Sequence, residues 1–281
     1  MTKIIAELAS SHNGDLDLLK ALVKAAAENG ADLCKVQDWR SKNVPSNDLD
    51  KQRYEKYEFR DEWWPEFLKC CKENNIEPLT TVFNKDRVKF LADLGLKKIK
   101  LASISLTNHD LISMAGAYFD ELIISTAMHS KEEIEEAIDL LATNAKKFTI
   151  LHCVANYPTT PGNANLDRID ELKKMIEGIE NASVGYSDHS LELEIPKIAL
   201  AKGISYLEKH FTLSRYLPQI PHEMYEGGPL ITTHQISIEP HELKELAEWR
   251  DWVKFTQEGR FEDSLEVEQK IKDKYSKRYG K

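Results

Sequence analysis

Short apolar runs alternate with helically spaced apolar positions from the first residues onward. Residues 3–9 read as a strand, and Leu19, Leu22, Val23 and Ala26 then follow the spacing of one helix face, closed by Gly30 where a helix C′ residue belongs. Residues 33–37 form a second short apolar strand. The polar stretch from Asp38 to about Phe59 predicts an extended loop, and long loops in compact domains are often functional. The alternation then resumes, with strands over 78–83, 98–103, 121–126, 148–153, 183–186 and 206–211. Helices are expected over 63–75, 87–94, 110–118, 166–179 and 240–255, with another framed by Pro196 and Gly203. Ser130 and Glu133 have the spacing of a capping box, which opens a further helix.

Eight strand–helix units within one chain predict a closed parallel (β/α)8 barrel, the TIM-barrel architecture. The chain of 281 residues suits a single barrel domain over 1–257, followed by a charged helix or tail over 258–281. Hydrophobic residues make up 41% and charged residues 30%, which places the chain among soluble globular proteins. No apolar run approaches the roughly 20 residues of a membrane helix, and no signal peptide is expected. A net charge of −9 argues against a nucleic-acid surface. Cys34, Cys70, Cys71 and Cys153 form no C-x-x-C pair, so reduced buried thiols and a cytoplasmic location are expected.

Barrel enzymes build their sites at the C-terminal ends of the strands. Here those ends carry Glu7, Lys35 and Gln37, Thr81, Lys100 and Ser103, Ser125, His152, Ser187 with His189, and Glu208 with His210. Polar side chains inside a barrel are costly unless paired or used, so this set reads as a site. Lys35 and Lys100 on different strands can converge on a carboxylate or phosphate, assisted by hydroxyls of Ser103, Ser125 and Ser187. The other reading of each lysine is a rim residue reaching to water. His189 and His210 close neighbouring strands, which lie about 5 Å apart, so two imidazoles can share a metal there. Nitrogen with oxygen donors suits Mn, Fe or Zn better than Mg alone. A structural role for either histidine remains the other reading.

In this order the motifs resemble those of the sialic acid synthases, with the related nonulosonic acid synthases and spore-coat polysaccharide proteins. The resemblance spans about residues 3–245. It rests on Ile5-Ala6-Glu7 with His12-Asn13-Gly14, Lys35-Val36-Gln37, Lys100-Leu101-Ala102-Ser103, and Ile124-Ser125-Thr126-Ala127-Met128. It continues through Leu151-His152-Cys153 with Tyr157-Pro158-Thr159, Val184-Gly185-Tyr186-Ser187-Asp188-His189, Glu208-Lys209-His210-Phe211 and Ser237-Ile238-Glu239-Pro240.

The resemblance implies a transferase that condenses phosphoenolpyruvate with the aldehyde of an N-acetylmannosamine-like sugar or a variant aldose. The products are a keto-deoxy sugar acid and phosphate. It implies Lys35, Thr81, Lys100, Ser103, Ser125 and Ser187 as phosphoenolpyruvate binders. Glu7, Lys100 and Tyr157 are implied as catalytic groups, Gln37, Tyr157, Ser105 and Thr233 on the sugar side, and His189 and His210 as metal ligands. Mn²⁺ is the expected metal, with Mg²⁺ and Co²⁺ as alternatives. A homodimer is implied, with phosphoenolpyruvate and an aldose or acetamido sugar as partners and no nucleic acid or membrane.

Several positions depart from the family pattern. Ser105 and Thr233 stand where acidic residues are usual, and Ala155 and Ser11 also differ. The connection after His210 is longer than usual, and no antifreeze-like domain follows the barrel. Closure of the site is therefore expected from the 218–233 insertion, the 258–281 tail, or a separate lid protein, and the insertion can also be an inert surface loop. These departures cluster on sugar recognition and predict an aldehyde other than standard N-acetylmannosamine. The competing readings are another barrel aldolase or deoxy-aldulosonate synthase, and a degenerate barrel that only binds an anion. Trp249 and Trp252 in the last barrel helix are expected in the core first, with a subunit interface as the other reading.

Overall fold

A computed structural model describes residues 1–223, 227–257 and 261–279. Eight parallel strands close into a barrel in strict chain order. They are β1 (Lys3–Glu7), β2 (Leu33–Asp38), β3 (Glu77–Val82), β4 (Lys98–Leu101), β5 (Glu121–Ser125), β6 (Phe148–Cys153), β7 (Ala182–Asp188) and β8 (Tyr206–His210). Register pairs Ile5 with both Leu33 and Glu208, and Glu7 with both Lys35 and His210, so β1 closes the sheet between β2 and β8.

Helices cover the outside. They are α1 (Leu16–Glu28), α2 (Lys51–Tyr57), α3 (Trp64–Glu73), α4 (Lys85–Asp93), α5 (His109–Tyr118), α6 (Lys131–Asn144), α7 (Arg168–Met175), α8 (Glu194–Ala201) and α9 (Pro240–Gln257). The expected capping box opens α6: Glu133 N donates to Ser130 Oγ at 3.2 Å, and Ser130 N donates to Glu133 Oε2 at 2.8 Å. A two-stranded ribbon, β9 (His222–Glu223) with β10 (Leu230–Ile231), lies in the insertion after β8, which also includes 224–226, outside the described residues. Helix α10 (Phe261–Tyr279) occupies most of the charged tail, whose residues 258–260 and 280–281 lie outside the described residues.

Inside the barrel, Ile5, Leu33, Leu79, Ile123, Leu151 and Tyr206 form a buried apolar layer. Gly185 is required by that packing, because a Cβ there would stand 2.4 Å from Leu151 Cδ2 and 2.6 Å from the Tyr206 carbonyl. Below, Lys98 pairs with Glu77 at 2.9 Å and Glu121 at 3.4 Å, a polar plug at the N-terminal face that serves stability. Above, the strand ends turn polar, and that boundary positions the site.

Two expectations are corrected. The 38–59 stretch is not a plain loop, since it contains α2 and delivers Tyr57 and Phe59 fully buried. Phe59 packs edge-on against Trp63, Trp64 and Phe67, and burial of these rings holds the segment down. A buried charge cluster adds to this: Arg87 Nε and Arg40 Nη2 reach the two oxygens of Asp38 at 2.8 and 2.7 Å, and Arg87 Nη2 reaches Asp61 at 2.6 Å. Trp249 and Trp252 are not core residues, being 40% and 68% exposed. The buried stripe of α9 is Leu243, Leu246 and Ala247, and helical spacing turns both tryptophans away from it. All four cysteines are free and buried. Among the described residues, no helix is long and apolar enough to cross a membrane.

Candidate active site

Strand alternation decides which polar residues enter the barrel mouth. On β8, Glu208 and His210 point inward, while Lys209 points outward to Asp188 and to the Ser190 carbonyl. On β7, Ser187 points inward and Asp188 outward, and His189, just past the strand end, points inward again. The inward set lines a cavity of about 90 Å³ at the C-terminal end of the barrel. It brings together Glu7, Lys35, Gln37, Thr81, Lys100, Ser103, Ser125, Tyr157, Ser187, His189 and His210 of the residues expected from sequence.

Charge pairing organises this cavity. Lys35 pairs with Glu7, donates to Thr81 Oγ1 at 2.8 Å, and stands 3.5 Å from Glu208. Lys100 meets Glu208 Oε1 at 3.2 Å, and Ser187 Oγ donates to the same oxygen at 2.8 Å. Gln37 Nε2 donates to Glu7 Oε1 at 2.9 Å. Burial pushes the Glu208 carboxyl up, but Lys100 and Lys35 more than offset it and hold it well below the usual range. Burial raises Glu7 despite Lys35, so Glu7 is the carboxyl disposed to carry a proton. Burial also lowers Lys100 despite Glu208, whereas Glu208 and Glu7 together overcome burial and raise Lys35. Ser125 Oγ is buried without a hydrogen-bond partner among the described residues.

The two histidines stand side by side, ring centroids 5.6 Å apart, with the Tyr157 ring 4.0 Å from His189. Burial lowers the His189 imidazole to about 4, and burial with His189 beside it also holds His210 well below the usual imidazole range. Both are neutral at pH 7, the form a metal takes. His189 Nδ1 donates to the Val154 carbonyl at 2.8 Å, leaving Nε2 with its lone pair, while His210 Nδ1 is buried without a partner among the described residues. This donor set fits a divalent metal at an open site. Among the described residues no three His, Cys, Asp or Glu side chains gather to hold one, so the donors on hand here are the two imidazoles.

The sugar-side expectations divide. Gln37 and Tyr157 line both the inner cavity and an outer chamber of about 510 Å³ above it. Thr233 lines the outer chamber, with its hydroxyl 2.7 Å from Ser10 Oγ. Ser105 lines neither. It lies in a short 3-10 turn whose backbone buries it, and the exposed Ile104 faces the chamber instead. Glu208, expected at the strand end but given no role there, and Cys153, expected only as a buried thiol, also line the inner cavity. The period of two was the available signal: each stands two residues from, or directly beside in register, an inward residue, Glu208 with His210 and Cys153 with Ser187.

The 218–233 insertion is not an inert loop. Gln219 Nε2 donates to the Ser10 carbonyl at 2.8 Å and to Asn13 Oδ1 at 3.0 Å, and its Oε1 accepts from Thr233 N at 2.7 Å. Ile220 N donates to Tyr57 OH at 2.8 Å, which ties the insertion to α2. His222 and Glu223 thereby form part of the chamber wall.

The NeuB family model matches residues 22–258. The chain is 35% identical to the N,N′-diacetyllegionaminic acid synthase of Campylobacter jejuni over 263 residues, covering 87% of this chain and 74% of that protein. Among solved structures, the N-acetylneuraminic acid (sialic acid) synthetase of Leptospira borgpetersenii superposes with a TM-score of 0.86 at 29% identity, covering 99% of this chain and 93% of that one. The spore coat polysaccharide biosynthesis protein SpsE of Bacillus subtilis superposes at 0.76 with 30% identity, covering 90% and 68%. With a barrel closed in the same way and a family model spanning most of its length, the chain belongs to the NeuB family, the sialic acid synthase family, and is an enzyme of that family.

Proposed function

We propose that the protein condenses phosphoenolpyruvate with an acylamino sugar aldehyde, giving a keto-deoxy sugar acid and inorganic phosphate. The observation that carries this reading is the inner cavity: two buried lysines, an unpartnered serine hydroxyl and two neutral imidazoles share one small space at the barrel mouth. Its volume suits a three-carbon anion. The Campylobacter and Leptospira relatives are both named for N-acetylated sugar acids, which supports an acylamino aldehyde.

In this reading Lys35, Lys100, Thr81, Ser103, Ser125 and Ser187 bind the phosphate and carboxylate. A new bond joins carbon three of phosphoenolpyruvate to the aldehyde carbon, and the aldehyde oxygen takes up the proton that Glu7 carries to become a hydroxyl. Water adds to carbon two and gives its proton to Glu7, whose raised pKa suits it to accept and return one. Breakage of the carbon–oxygen bond to the phosphoryl group then expels phosphate, which takes the remaining hydroxyl proton of carbon two, and leaves the ketone. Tyr157 and Gln37, shared by both cavities, orient the aldehyde end over the inner site. A divalent cation held by His189 and His210, Mn²⁺ in this reading, supplies Lewis-acid polarisation when bound.

The test is phosphate release from phosphoenolpyruvate with Mn²⁺ across a panel of acetamido sugars and aldoses. Aldehyde-dependent release with a keto-deoxy acid seen by mass spectrometry supports the reading. Phosphoenolpyruvate binding without release for any aldehyde defeats it. The lowered ammonium of Lys100 favours one second reading, a Schiff-base aldolase acting on a keto acid. Borohydride trapping of pyruvate on Lys100 separates the two.

A further inference from the structure

Strands β7 and β8 are tied together twice, once inside the barrel and once behind its wall. In register, Ser187 stands opposite Glu208 and Asp188 opposite Lys209. Ser187 and Glu208 meet inside the cavity, whereas Asp188 and Lys209 pair on the outer face, both 1% exposed. Asp188 is fully engaged. Tyr186 OH donates to its Oδ1 at 2.9 Å, Ser190 N to Oδ1 at 3.2 Å, and Ser190 Oγ to Oδ2 at 2.7 Å. The Lys209 ammonium also donates to the Ser190 carbonyl.

A buried ion pair is a weak source of stability, because desolvation offsets its attraction and apolar residues of similar volume often do as well. What a fully paired buried network supplies is one defined arrangement. Here that arrangement governs the next residue on each strand. His189 follows Asp188 and His210 follows Lys209, and the two rings stand 5.6 Å apart. A one-residue slip of β8 against β7 would swing Lys209 into the barrel and His210 out of it. The inner tie is less able to prevent this, since Ser187 is assigned to phosphoenolpyruvate and Glu208 serves lysines that an incoming anion also engages. Asp188, Lys209, Ser190 and Tyr186 line neither cavity, so the outer tie is untouched by substrate. The imidazoles also differ in their other supports. His189 Nδ1 is held by the Val154 carbonyl at 2.8 Å, and its own carbonyl accepts from Thr159 N at 2.9 Å. His210 Nδ1 has no partner among the described residues, so the backbone of β8 places that ring.

We propose that Asp188 and Lys209 are positioning residues, whose pair behind the wall sets the mutual placement of His189 and His210 and keeps it while the anion site changes partners. The consequence for Mn²⁺ rests on the metal reading above, whereas the placement of the rings does not.

The experiment compares wild type with Lys209→Met, the double variant Asp188→Asn with Lys209→Met, and Glu121→Gln. Glu121→Gln breaks a buried pair with Lys98 at the opposite end of the barrel and controls for lost stability. In metal-free protein, nuclear magnetic resonance signals of the His189 and His210 rings are assigned by their loss in His189→Gln and His210→Gln. They are expected to shift in both Lys209 variants and to stay in place in Glu121→Gln. Unmoved signals in Lys209→Met, or equal shifts in the control, overturn the proposal. Electron paramagnetic resonance of added Mn²⁺ is expected to show affinity about tenfold weaker in both Lys209 variants, as for other residues that orient metal ligands. The double variant separates position from stability, because removing both charges restores much of the thermal stability lost when Asp188 is orphaned. Affinity that stays weak upholds the proposal, and affinity that returns with stability overturns it. A wild type that binds no Mn²⁺ counts against the metal reading, and the ring signals still decide the placement. Should Lys209→Met not fold, Tyr186→Phe removes one donor from Asp188 and is read in the same way. Smaller shifts of both rings uphold the proposal there, and unmoved signals overturn it.

Discussion

The Lys100 ammonium and the Glu208 carboxylate meet at 3.2 Å inside the barrel, one from β4 and the other from β8. Glu208 also stands 3.5 Å from Lys35, so one buried carboxylate serves two buried lysines. It holds a pre-charged anion site together before any substrate arrives.

Removing that carboxylate leaves the lysines facing each other. Glu208→Gln is expected to destabilise the ligand-free protein by roughly 3–5 kcal/mol, the usual result of orphaning a buried charge. Phosphoenolpyruvate or phosphate restores much of it. Thermal unfolding with and without phosphate checks this, and a variant as stable as wild type in both conditions contradicts the assigned pairing.

Lys100→Ala is expected to weaken phosphoenolpyruvate far more than sugar, because Lys100 lines only the inner cavity. Calorimetric affinities for the two ligands decide the matter. Equal losses would remove its assigned role.

His189→Ala and His210→Ala are each expected to abolish tight Mn²⁺ binding and activity together. Electron paramagnetic resonance of added Mn²⁺ counts the bound ion. An unchanged stoichiometry in the double variant would refute the metal assignment.

Acid is expected to destabilise the fold through His12. Burial lowers this imidazole to about 4, against 6.5 when it is free, and its Nδ1 accepts from Gly14 N at 3.1 Å while Trp63 packs edge-on at 5.5 Å. The folded pKa is depressed and the neutral form is favoured, so the contribution is complete above about pH 6.5 and is lost as pH falls toward 4. Glu7 acts in the opposite sense, since its folded pKa is raised and its protonation on acidification relieves a cost. Urea unfolding from pH 7.5 to 4.5 is expected to show a shallower decline in His12→Gln than in wild type, and an identical decline would rule His12 out.

Gln219→Ala is expected to loosen the insertion, since it breaks contacts to Ser10, Asn13 and Thr233 together. KM for the sugar should rise several-fold, roughly what one or two net hydrogen bonds are worth, with KM for phosphoenolpyruvate unchanged. A parallel change in both would show that the insertion serves stability rather than the chamber.

The barrel was legible in the chain because its signals are local. Strand runs, helix faces and the Ser130 capping box each fall within one element, and repetition of the unit selects the closed sheet. The inner cavity was legible for the same reason, since strand ends with period-two polarity place Lys35 with Gln37, and Ser187 with His189, on the inward face. Other features depended on partners distant in sequence. Helix α2 is held by burial of Tyr57 and Phe59, and by charge pairs from Asp38 to Arg87, which no local pattern announces. The turn that hides Ser105 and presents Ile104, and the insertion pinned through Gln219 to the strand-one loop, were likewise decided by packing. Periodicity encodes which face of an element is apolar. Only closure of the barrel and docking of the segments across its mouth determine which polar atoms meet, and so how the chamber above the anion site is shaped.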